Sequence, residues 1–577
     1  MNGAPGRVAE GPQAIREDTM RKIIAALLCS SCAVVSAQTF QEHLADGKNT
    51  ENVLTFGMGM GIPMYSPLAQ INKSNVKRLV PIWSTNTMTD TGELSQPTIY
   101  NGVMYIVNGN HTFALDAATG HQIWRTPVEY DRAVLRIANA GAIMRGIPVL
   151  YNGKLYRTTL DAHVVALDMK TGKQIWKSKF AEHKEGYKGV NSPLLANGVL
   201  ITGTTGGENA TRGFLVGWDP ETGKELWRTY TIPAPGEPGS ETWPKTADAT
   251  PDAWKVGGGS TWQMGSYDAQ LDLVYWGVGN AGPYDSKYRG DGDALYTNSV
   301  LAIRPKTGKI EWFYQFTPND VYDADGSNEN VLTDLNVNGQ MRKVIINGNK
   351  NGFLYVIDRT NGKLIAANPM TRVTWASHVD LQTGRPVLTD VFKRLKAGEM
   401  VEFYPQRATN ATLFATNPKT GLIYANTWDL PRIQKFVPYQ FKQLGEPNTA
   451  VQGGNLKINP DDVVGYHVAM NPLTGETKWK VPIRGMPNAA SVLATGGGLL
   501  FTGRPTGEFI ALDEATGQTL WQFKTGSSIN APPITYTHKG VQYVTVLSGL
   551  GGSVITRLVG DKVPRGGAAW TFALMPQ

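Results

Sequence analysis

Short apolar runs alternate with polar turns along this chain, and one polar pattern returns after eight of the runs. The pattern is a small or β-branched residue, any residue, Asp, two residues, Thr-Gly, three residues and Trp, with some copies degraded. ALDAATGHQIW, ALDMKTGKQIW and ALDEATGQTLW keep it best. The eight copies begin at Ala114, Ala166, Gly217, Ala302, Val356, Ala415, Ala469 and Ala511. Self-similarity of this kind indicates a repeat architecture.

Each part of the repeat predicts an element. The apolar run is typical of a buried strand, and Asp followed by Thr-Gly is typical of a tight turn in which Gly adopts a positive φ. The Trp begins the next strand, and its large flat side chain suits packing against a neighbouring unit. Trp ends six copies, and Ala ends the other two; these residues are Trp124, Trp176, Trp227, Trp312, Trp479, Trp521, Ala366 and Ala425.

Most copies lie about 50 residues apart, which is enough for one four-stranded sheet. We therefore predict an all-β fold, an eight-bladed β-propeller with tryptophan docking motifs, as a single domain over residues 38–577. Residues 38–80 would lead into the ring, and 561–577 would close it or pack under it. Two excursions, at 232–254 and 368–409, interrupt the repeat. Loops of this length usually carry function or cover a site.

The N-terminus has the features of an export signal. A basic pair precedes a nearly apolar stretch over 23–35, and a small-residue cleavage pattern ends at Ala37. We expect Met20 to be the true start, residues 1–37 to be an upstream segment and signal peptide, and the mature protein to be periplasmic. A membrane anchor is disfavoured because the apolar stretch is too short to span a bilayer. Lipoprotein cleavage at Cys32 is a weaker alternative.

Composition narrows the possible functions. Both cysteines, Cys29 and Cys32, lie in the export signal, so we expect a mature chain without disulfides. No Cys-x-x-Cys-His motif is present for covalent attachment of haem. The 55 Lys and Arg residues against 48 Asp and Glu give a formal net charge of +7 without a basic stripe. We therefore expect no nucleic-acid partner and no membrane span.

Three loops carry acidic or amide side chains. They read GTTGGE at 203–208, GVGN at 277–280 and NDVYDAD at 319–325. Loops of different blades can converge on the central funnel, and carboxylate and amide oxygens together suit a hard cation. Taken singly, each cluster is more often an ordinary solvated turn, so only the combination favours a metal site. The eight histidines are scattered and do not suggest a zinc site.

Several further stretches together resemble one known family. They are YSPLAQINKSNVKRL in the lead-in, GSETWP, GGGSTW, and TGLIY at 420–424. With the Trp repeat, they make the chain similar to the pyrroloquinoline-quinone (PQQ)-dependent alcohol dehydrogenases, the methanol and ethanol dehydrogenase family, over about residues 50–560. The resemblance implies PQQ and one metal ion as cofactors. It also implies a small-molecule alcohol as substrate and a soluble cytochrome c as electron acceptor.

The resemblance implies roles for individual residues. Asp323 matches the catalytic base, and Lys350 matches the residue that polarises the quinone oxygens. The positions that match metal ligands are Glu208, Asn280, Asp323 and Asp325. Those that match cofactor-binding positions are Arg145, Thr158, Thr205, Gly206, Gly207, Trp262, Lys350 and Asn410. Asp325 is typical of lanthanide-using members, and a further carboxylate suits a trivalent ion, so a lanthanide is favoured, with Ca²⁺ as the alternative.

The chain departs from the family pattern around the expected quinone. The stretch NAGAIMRG at 139–146 lacks two adjacent cysteines, and tryptophans are missing near Ala411, Ala489 and Ser553. Smaller side chains imply a roomier pocket. We therefore expect bulky primary or secondary alcohols, including cyclic ones, to be oxidised to aldehydes or ketones better than methanol.

Two other functions stay open on the sequence alone. One is a non-enzymatic eight-bladed scaffold of the outer-membrane assembly type, and the other is a quinoprotein that oxidises polyols or sugars. A scaffold would need the Trp repeats but not the combined set of polar candidates, so that set favours an enzyme. The oligomeric state is left open, with a homodimer as one alternative.

Overall fold

The computed structural model describes residues 1–3, 6, 38–89, 91–137, 143–243, 252–409, 412–551, 556, 558–560 and 562–575. Strands dominate its regular structure, which confirms the predicted all-β class. The α-helices Phe40–Leu44 and Val391–Lys396 are short, and the 3-10 helices are Val76–Arg78, Arg132–Arg136, His183–Glu185, Ser240–Thr242, Ala253–Lys255 and Ser286–Tyr288. None of the helices in the described ranges is long and apolar enough to cross a membrane.

Seven antiparallel sheets, called blades 1–7, each take four strands in chain order. In most of them the fourth strand is the exposed outer one, as in Gln122–Pro127, while the first three are largely buried. The strands are Thr98–Tyr100, Val103–Val107, His111–Asp116 and Gln122–Pro127 in blade 1; Val149–Tyr151, Lys154–Thr159, His163–Asp168 and Gln174–Lys179 in blade 2; Leu194–Ala196, Val199–Gly203, Phe214–Trp218 and Glu225–Tyr230 in blade 3; Ser266–Asp268, Leu273–Gly277, Ser299–Ile303 and Ile310–Gln315 in blade 4; Val331–Val337, Gln340–Gly348, Phe353–Asp358 and Leu364–Pro369 in blade 5; Ala415–Asn417, Leu422–Trp428, Val463–Met470 and Thr477–Arg484 in blade 6; and Val492–Thr495, Leu499–Gly503, Glu508–Asp513 and Thr519–Lys524 in blade 7.

Blade 8 is built from both ends of the chain. Its inner strands are Ile534–His538 and Val541–Ser548, followed by Ala568–Leu574. Its outer strand is Leu79–Asn86, which pairs antiparallel with Ala568–Leu574. The hydrogen bonds between these two strands tie the lead-in to the last described strand and complete the eighth sheet.

Tryptophan and glycine make the contacts between successive blades. The Trp124 Nε1 of blade 1 donates to the Met169 carbonyl of blade 2 at 3.1 Å. Beside it lies the turn glycine of blade 2, Gly172, with φ +70; a Cβ at this position would stand 2.6 Å from the Trp124 ring. Glycine is therefore required twice, for the positive φ and for the close approach. Equivalent Trp-to-carbonyl bonds are Trp176 to Pro220, Trp227 to Pro305, Trp479 to Glu514, Trp521 to Leu79 and Trp83 to Ala117.

The last two of those bonds join blade 8 to both of its neighbours. Trp521 of blade 7 contacts blade 8, and Trp83 of blade 8 contacts blade 1. Trp83 belongs to no copy of the repeat, yet Gly120 of blade 1 packs on its ring in the same way. The N-terminal strand thus supplies the interblade tryptophan that the C-terminal part of blade 8 lacks.

The prediction that each copy of the repeat marks one blade needs a correction. The Ala415 and Ala469 copies both lie in blade 6, and blade 8 contains none. The Ala415 copy joins the first two strands of its blade, where the turn glycine Gly421 has φ +68 and a Cβ on it would meet no atom within 4 Å. The described strands form eight sheets of this kind, because one surplus copy offsets one absent copy.

The excursions differ in what they do. In the described part of 232–254, Trp243 packs with Ile232, Ala281 and Ala294. The excursion at 368–409 forms the hairpin Ala376–Asp380 and Arg385–Leu388, the helix Val391–Lys396 and the strand Val401–Phe403. This strand pairs with Arg432–Phe436, which pairs with Val451–Gly453. The last two strands belong to a third excursion, residues 429–462, here called the blade 6 insertion, which the repeat did not predict.

Short parallel pairings attach two segments that precede blade 1 to the ring. Tyr65–Ser66 adds a fifth strand beside Val492–Thr495 of blade 7. Leu94–Ser95 pairs with Arg145–Gly146, so Arg145 is fixed where the chain enters blade 2.

Candidate active site

One cavity of about 560 Å³ is lined by loops of blades 2–6. These loops either precede the first strand of a blade or join its second and third strands. In an antiparallel blade, both kinds of loop lie at the same end, so the strand order alone brings them together. Seven predicted site residues line the cavity: Arg145, Thr205, Glu208, Trp262, Asp323, Asp325 and Lys350.

The other predicted site residues lie behind this lining or outside the described residues. Asn280 is completely buried, and its Oδ1 has no hydrogen-bond partner among the described residues. Gly207 is beside it, since a Cβ on Gly207 would lie 3.6 Å from that oxygen. Gly206 has φ +128, and Thr158 is buried with its hydroxyl donating to the Asn191 carbonyl. The predicted position Asn410 lies outside the described residues.

The loop that carries two acidic candidates is held from within. The buried Asp320 carboxylate accepts from the backbone N–H groups of Tyr322 at 3.0 Å and Ala324 at 2.9 Å. Tyr322 is itself buried against Trp375, Phe392 and Phe403. Asp323, between Tyr322 and Ala324, adopts φ +67, and Asp325, which follows them, adopts φ +45. Non-glycine residues in this region store strain, and such strain is concentrated at functional sites.

Lys350 bridges the carboxylates of Asp323 and Asp325. Its Nζ lies 2.6 Å from Asp323 Oδ1 and 3.0 Å from Asp325 Oδ2. Arg432, from the blade 6 insertion, approaches the second oxygen of Asp323, with Nη1 at 3.7 Å from Oδ2. Asp323 is thus held between two cations that come from different blades.

The three cavity carboxylates have different electrostatic environments. Burial alone would raise the pKa of Asp323, but the charges of Lys350 and Arg432 more than offset it and hold the pKa below its usual value. Burial raises the pKa of Asp325 despite Lys350. Burial, with the charges of Asp323 and Asp325, raises the pKa of Glu208 to about 7. Asp323 therefore carries the most firmly ionised carboxylate of the three.

The donor set suits a hard cation. Asn280 contributes an unpartnered amide oxygen, and its backbone N–H lies 3.2 Å from Asp325 Oδ1. Gly279 allows this approach, because a Cβ there would stand 2.9 Å from the same carboxylate oxygen. In the described part of the chain no group of three or more His, Cys, Asp and Glu side chains is close enough to hold a metal. Lys350 lies between two of the acidic side chains. The oxygen chemistry of Glu208, Asn280, Asp323 and Asp325 nevertheless fits Ca²⁺ or a lanthanide.

A second group of residues suits a flat anionic cofactor. The Arg145 guanidinium lies over the Trp262 ring, with Cζ 5.2 Å from the ring centroid. No hydrogen bond of this guanidinium to a described residue is present, and although burial lowers its pKa to about 10, it stays cationic near neutrality. The buried Thr205 hydroxyl is also without a described partner. A cation, a free hydroxyl and an aromatic face are what a planar quinone with carboxylates requires.

Comparisons with known proteins agree with this arrangement. The family described as PQQ glucose/ethanol/alcohol dehydrogenase, beta-propeller domain, matches residues 55–380 and 470–544. The quinoprotein ethanol dehydrogenase of Pseudomonas putida is 37% identical over 95% of this chain and 96% of its own length. This chain belongs to the PQQ-dependent alcohol dehydrogenase family. It is a quinoprotein oxidoreductase that acts on CH–OH groups, so the non-enzymatic scaffold considered above does not apply.

Solved structures show the same relationship. The quinohemoprotein alcohol dehydrogenase ADHIIG of Pseudomonas putida HK5 superposes with a TM-score of 0.86 at 31% identity, covering 94% of this chain and 83% of that one. A europium-containing methanol dehydrogenase superposes with a TM-score of 0.85 at 31% identity, covering 92% and 100%. The β-propeller prediction is confirmed. The family match skips 381–469, which contains the whole blade 6 insertion.

Sequence reasoning missed several groups in the cavity of this dehydrogenase. Tyr284 lines it four residues after Asn280, on the same loop, a proximity that could have identified it. Arg407 and Arg432 line it from segments outside the repeat, where no local pattern marks them. Lys188 is buried behind the lining, close enough to Glu208 for its charge to affect the pKa of that carboxyl.

Only some of the positions at which this chain has smaller side chains than the family lie in the described residues. Ala489 packs in an apolar cluster with Trp428, Leu430, Leu550 and Val559, so neighbouring side chains fill the space beside it. Residues 139–142, Ala411 and Ser553 lie outside the described residues. The roomier pocket therefore stays a prediction.

Proposed function

We propose that the dehydrogenase oxidises primary or secondary alcohols with sizeable apolar groups to aldehydes or ketones. The observation that carries the proposal is the position of Asp323. Its ionised carboxylate stands between Lys350 and Arg432 in the cavity that also contains the Arg145–Trp262 pair. A partly buried base that borders the cavity, beside a cradle for a planar cofactor, is the arrangement that alcohol oxidation needs.

In the proposed site, Glu208, Asn280, Asp323 and Asp325 hold the metal ion. The cofactor is held by Arg145, Thr158, Thr205, Gly206, Gly207, Trp262, Lys350 and Asn410. When bound, PQQ supplies the two-electron acceptor for the hydride that leaves the carbinol carbon. Asp323 takes the hydroxyl proton, and a base held ionised at neutral pH is suited to this step.

The walls of the cavity support a substrate larger than methanol. The lining also has an apolar part, which comes largely from the blade 6 insertion and consists of Ile143, Val190, Pro431, Ile433, Val451 and Leu456. Polar uncharged side chains, including Ser260, Gln406, Gln434 and Thr449, lie among these residues. Apolar walls favour a hydrocarbon group by about 25 cal/mol per Å² of surface removed from water. The same walls give methanol little to contact.

A lanthanide is the proposed metal, with Ca²⁺ as the alternative. Asp325 brings a third carboxylate to the donor set, and its Oδ2 lies 3.0 Å from the Lys350 ammonium. A trivalent ion interacts more favourably than a divalent one with this charge. The europium-containing methanol dehydrogenase is a relative of similar fold, which is consistent with this choice.

The remaining parts of the proposal concern the setting of the reaction. The basic and apolar pattern of residues 1–37 supports export to the periplasm. We propose a soluble cytochrome c as electron acceptor, since the mature chain has no motif for covalent haem. These points depend on the N-terminal pattern and the absence of a haem motif rather than on the cavity.

Reconstitution tests the proposal. Purified apoprotein is titrated with PQQ together with Ca²⁺ or La³⁺, and binding is followed by quinone absorbance and by the rise in thermal stability that a bound ligand causes. The loaded enzyme is then assayed with methanol, benzyl alcohol and a polycyclic secondary alcohol. We expect kcat/KM to be at least about tenfold higher for the larger alcohols, which corresponds to about 1.4 kcal/mol of differential transition-state binding. A preference for methanol by tenfold would contradict the proposed substrate size, and no PQQ binding with either metal would contradict the proposed site.

A further inference from the structure

Two polar side chains of the cavity have hydrogen-bonding capacity that the proposed proton transfer does not use. They are Arg432, from the blade 6 insertion, and Tyr284, from the loop that also carries Asn280. Both line the cavity, and the Arg432 Cζ lies 5.9 Å from the centroid of the Tyr284 ring. Their hydrogen-bonding capacity determines what they can do.

The Arg432 guanidinium is held by a hydrogen bond from Nε, while its terminal nitrogens make no hydrogen bond to a described residue. Its Nε donates to Gln434 Oε1, and Gln434 Nε2 donates to the Val321 carbonyl at 3.2 Å, two residues before Asp323. The Nη1 atom lies 3.7 Å from Asp323 Oδ2, which is an ion pair but too long for a hydrogen bond. A guanidinium has four hydrogens on its two terminal nitrogens, and no described residue accepts one from Arg432.

Tyr284 is positioned in a similar way. Its backbone N–H donates to the Thr449 carbonyl of the blade 6 insertion at 3.3 Å, so the loop and the insertion are joined. The side chain is buried, yet the hydroxyl makes no hydrogen bond to a described residue and borders the cavity. The hydroxyl is not among the buried atoms that lack a partner, so it is accessible from the cavity and can donate to a bound molecule. The cavity therefore contains at least two sets of donors that lack an acceptor, next to the base.

We infer that Arg432 and Tyr284 bind a second oxygen of the substrate, carried by the carbon next to the carbinol. This inference rests on the proposed function, because it takes Asp323 as the group that receives the carbinol proton. Oxygens on adjacent carbons lie side by side, so one can donate to Asp323 while the other accepts from Arg432. The substrate class is then an apolar alcohol with a vicinal acceptor oxygen, such as an ether, a ketone, a hydroxyl or a carboxylate.

Paired substrates of equal shape isolate this contact. The holoenzyme is assayed with 2-methoxycyclohexanol and 2-ethylcyclohexanol of the same configuration, which differ in one acceptor oxygen. We expect kcat/KM to be about tenfold or more higher for the methoxy compound, as for one hydrogen bond from a charged donor. Mandelate and methyl mandelate, compared in the same assay, distinguish an anionic acceptor from a neutral one.

Three variants assign the contact to residues. Arg432→Met should reduce the methoxy-to-ethyl ratio to near one, and Tyr284→Phe, which keeps the ring, should reduce it in part. Lys442→Met removes a cation from an exposed position of the same insertion and should leave the ratio unchanged. Because the ratio compares two substrates of one enzyme preparation, a general loss of activity or of folded protein cancels.

The possible results distinguish failure of the vicinal-oxygen contact from failure of the proposed alcohol oxidation. A ratio near one in an active wild-type enzyme overturns the inference and leaves the proposed function standing. An unchanged ratio in both Arg432→Met and Tyr284→Phe also overturns it. If Arg432→Met lowers kcat/KM equally for all alcohols and raises the PQQ concentration needed for half-saturation, Arg432 serves the cofactor and the inference is wrong. A wild-type enzyme that oxidises no alcohol at all contradicts both the inference and the proposed function.

Discussion

The interblade contact between tryptophan and glycine can be tested with two glycines of the same motif. Gly172 and Gly421 both follow Thr in a copy of the repeat and have nearly equal φ values of +70 and +68. A Cβ on Gly172 would lie 2.6 Å from the Trp124 ring and 2.5 Å from Thr126 Oγ1, whereas a Cβ on Gly421 meets nothing within 4 Å. Substituting each by Ala therefore separates the backbone cost from the contact between blades.

The expected magnitudes follow from these distances. Alanine in the left-handed region costs about 1–2 kcal/mol, and this cost is common to both variants. At residue 172 the methyl group must also displace the Trp124 ring, and overpacking of this kind costs about 1–3 kcal/mol. Loss of the 3.1 Å bond from Trp124 Nε1 to the Met169 carbonyl adds about 1 kcal/mol. We expect Gly172→Ala to be less stable than Gly421→Ala by about 2–4 kcal/mol.

The measurement is denaturant unfolding of the two apoprotein variants and the wild type, monitored by tryptophan fluorescence and by circular dichroism. The two signals should move together if the ring unfolds cooperatively, which is the condition for comparing free energies. Equal midpoints for Gly172→Ala and Gly421→Ala would refute the reasoning, because they would show that the contact with Trp124 adds nothing to the stability of the ring.

Two further predictions concern the site, and a third concerns Glu93, a buried carboxyl that does not line the cavity. Asp323→Asn should lower kcat by about 10²-fold or more, because the amide cannot accept the proton, while the PQQ titration midpoint stays within a few-fold; near-normal kcat would exclude Asp323 as the base. Asp325→Ala should reverse an initial preference for La³⁺ over Ca²⁺ in activation, and an unchanged lanthanum response would show that Asp325 is not a ligand. Burial raises the pKa of Glu93 from 4.5 to about 7, so its contribution to stability is full below pH 4.5 and is lost as the pH rises through 7. In apoprotein, Glu93→Gln should therefore match the wild-type melting temperature near pH 4.5 and exceed it above pH 7; a constant difference would contradict this.

Local sequence preferences accounted for much of the architecture. Strands, Thr-Gly turns and interblade tryptophans depend on a few neighbouring residues, so copies such as the one at Ala114 predict them directly. The copy at Ala415 shows what the local sequence does not determine. Its turn is the expected one, with Gly421 at φ +68, but whether such a turn meets a tryptophan depends on its place in the blade.

The active site also combines features that the local sequence predicts with contacts between distant segments that it does not predict. The residue types of the 203–208, 277–280 and 319–325 loops, with the family resemblance, identified Glu208 and Asp323, which the cavity brings together. Nothing local to residue 432 indicates that its guanidinium reaches the Asp323 carboxylate, more than a hundred residues away in the chain.

The sequence by itself thus determined the strand-and-turn repeat, the all-β class and the chemistry of the loops, because these depend on short-range conformational preference and residue type. The tertiary structure decided which copies form which blade, that the two chain ends complete blade 8, and that Lys350 and Arg432 stand on either side of Asp323. Those features depend on packing between distant segments, and the free energy of such contacts appears only when the ring is closed.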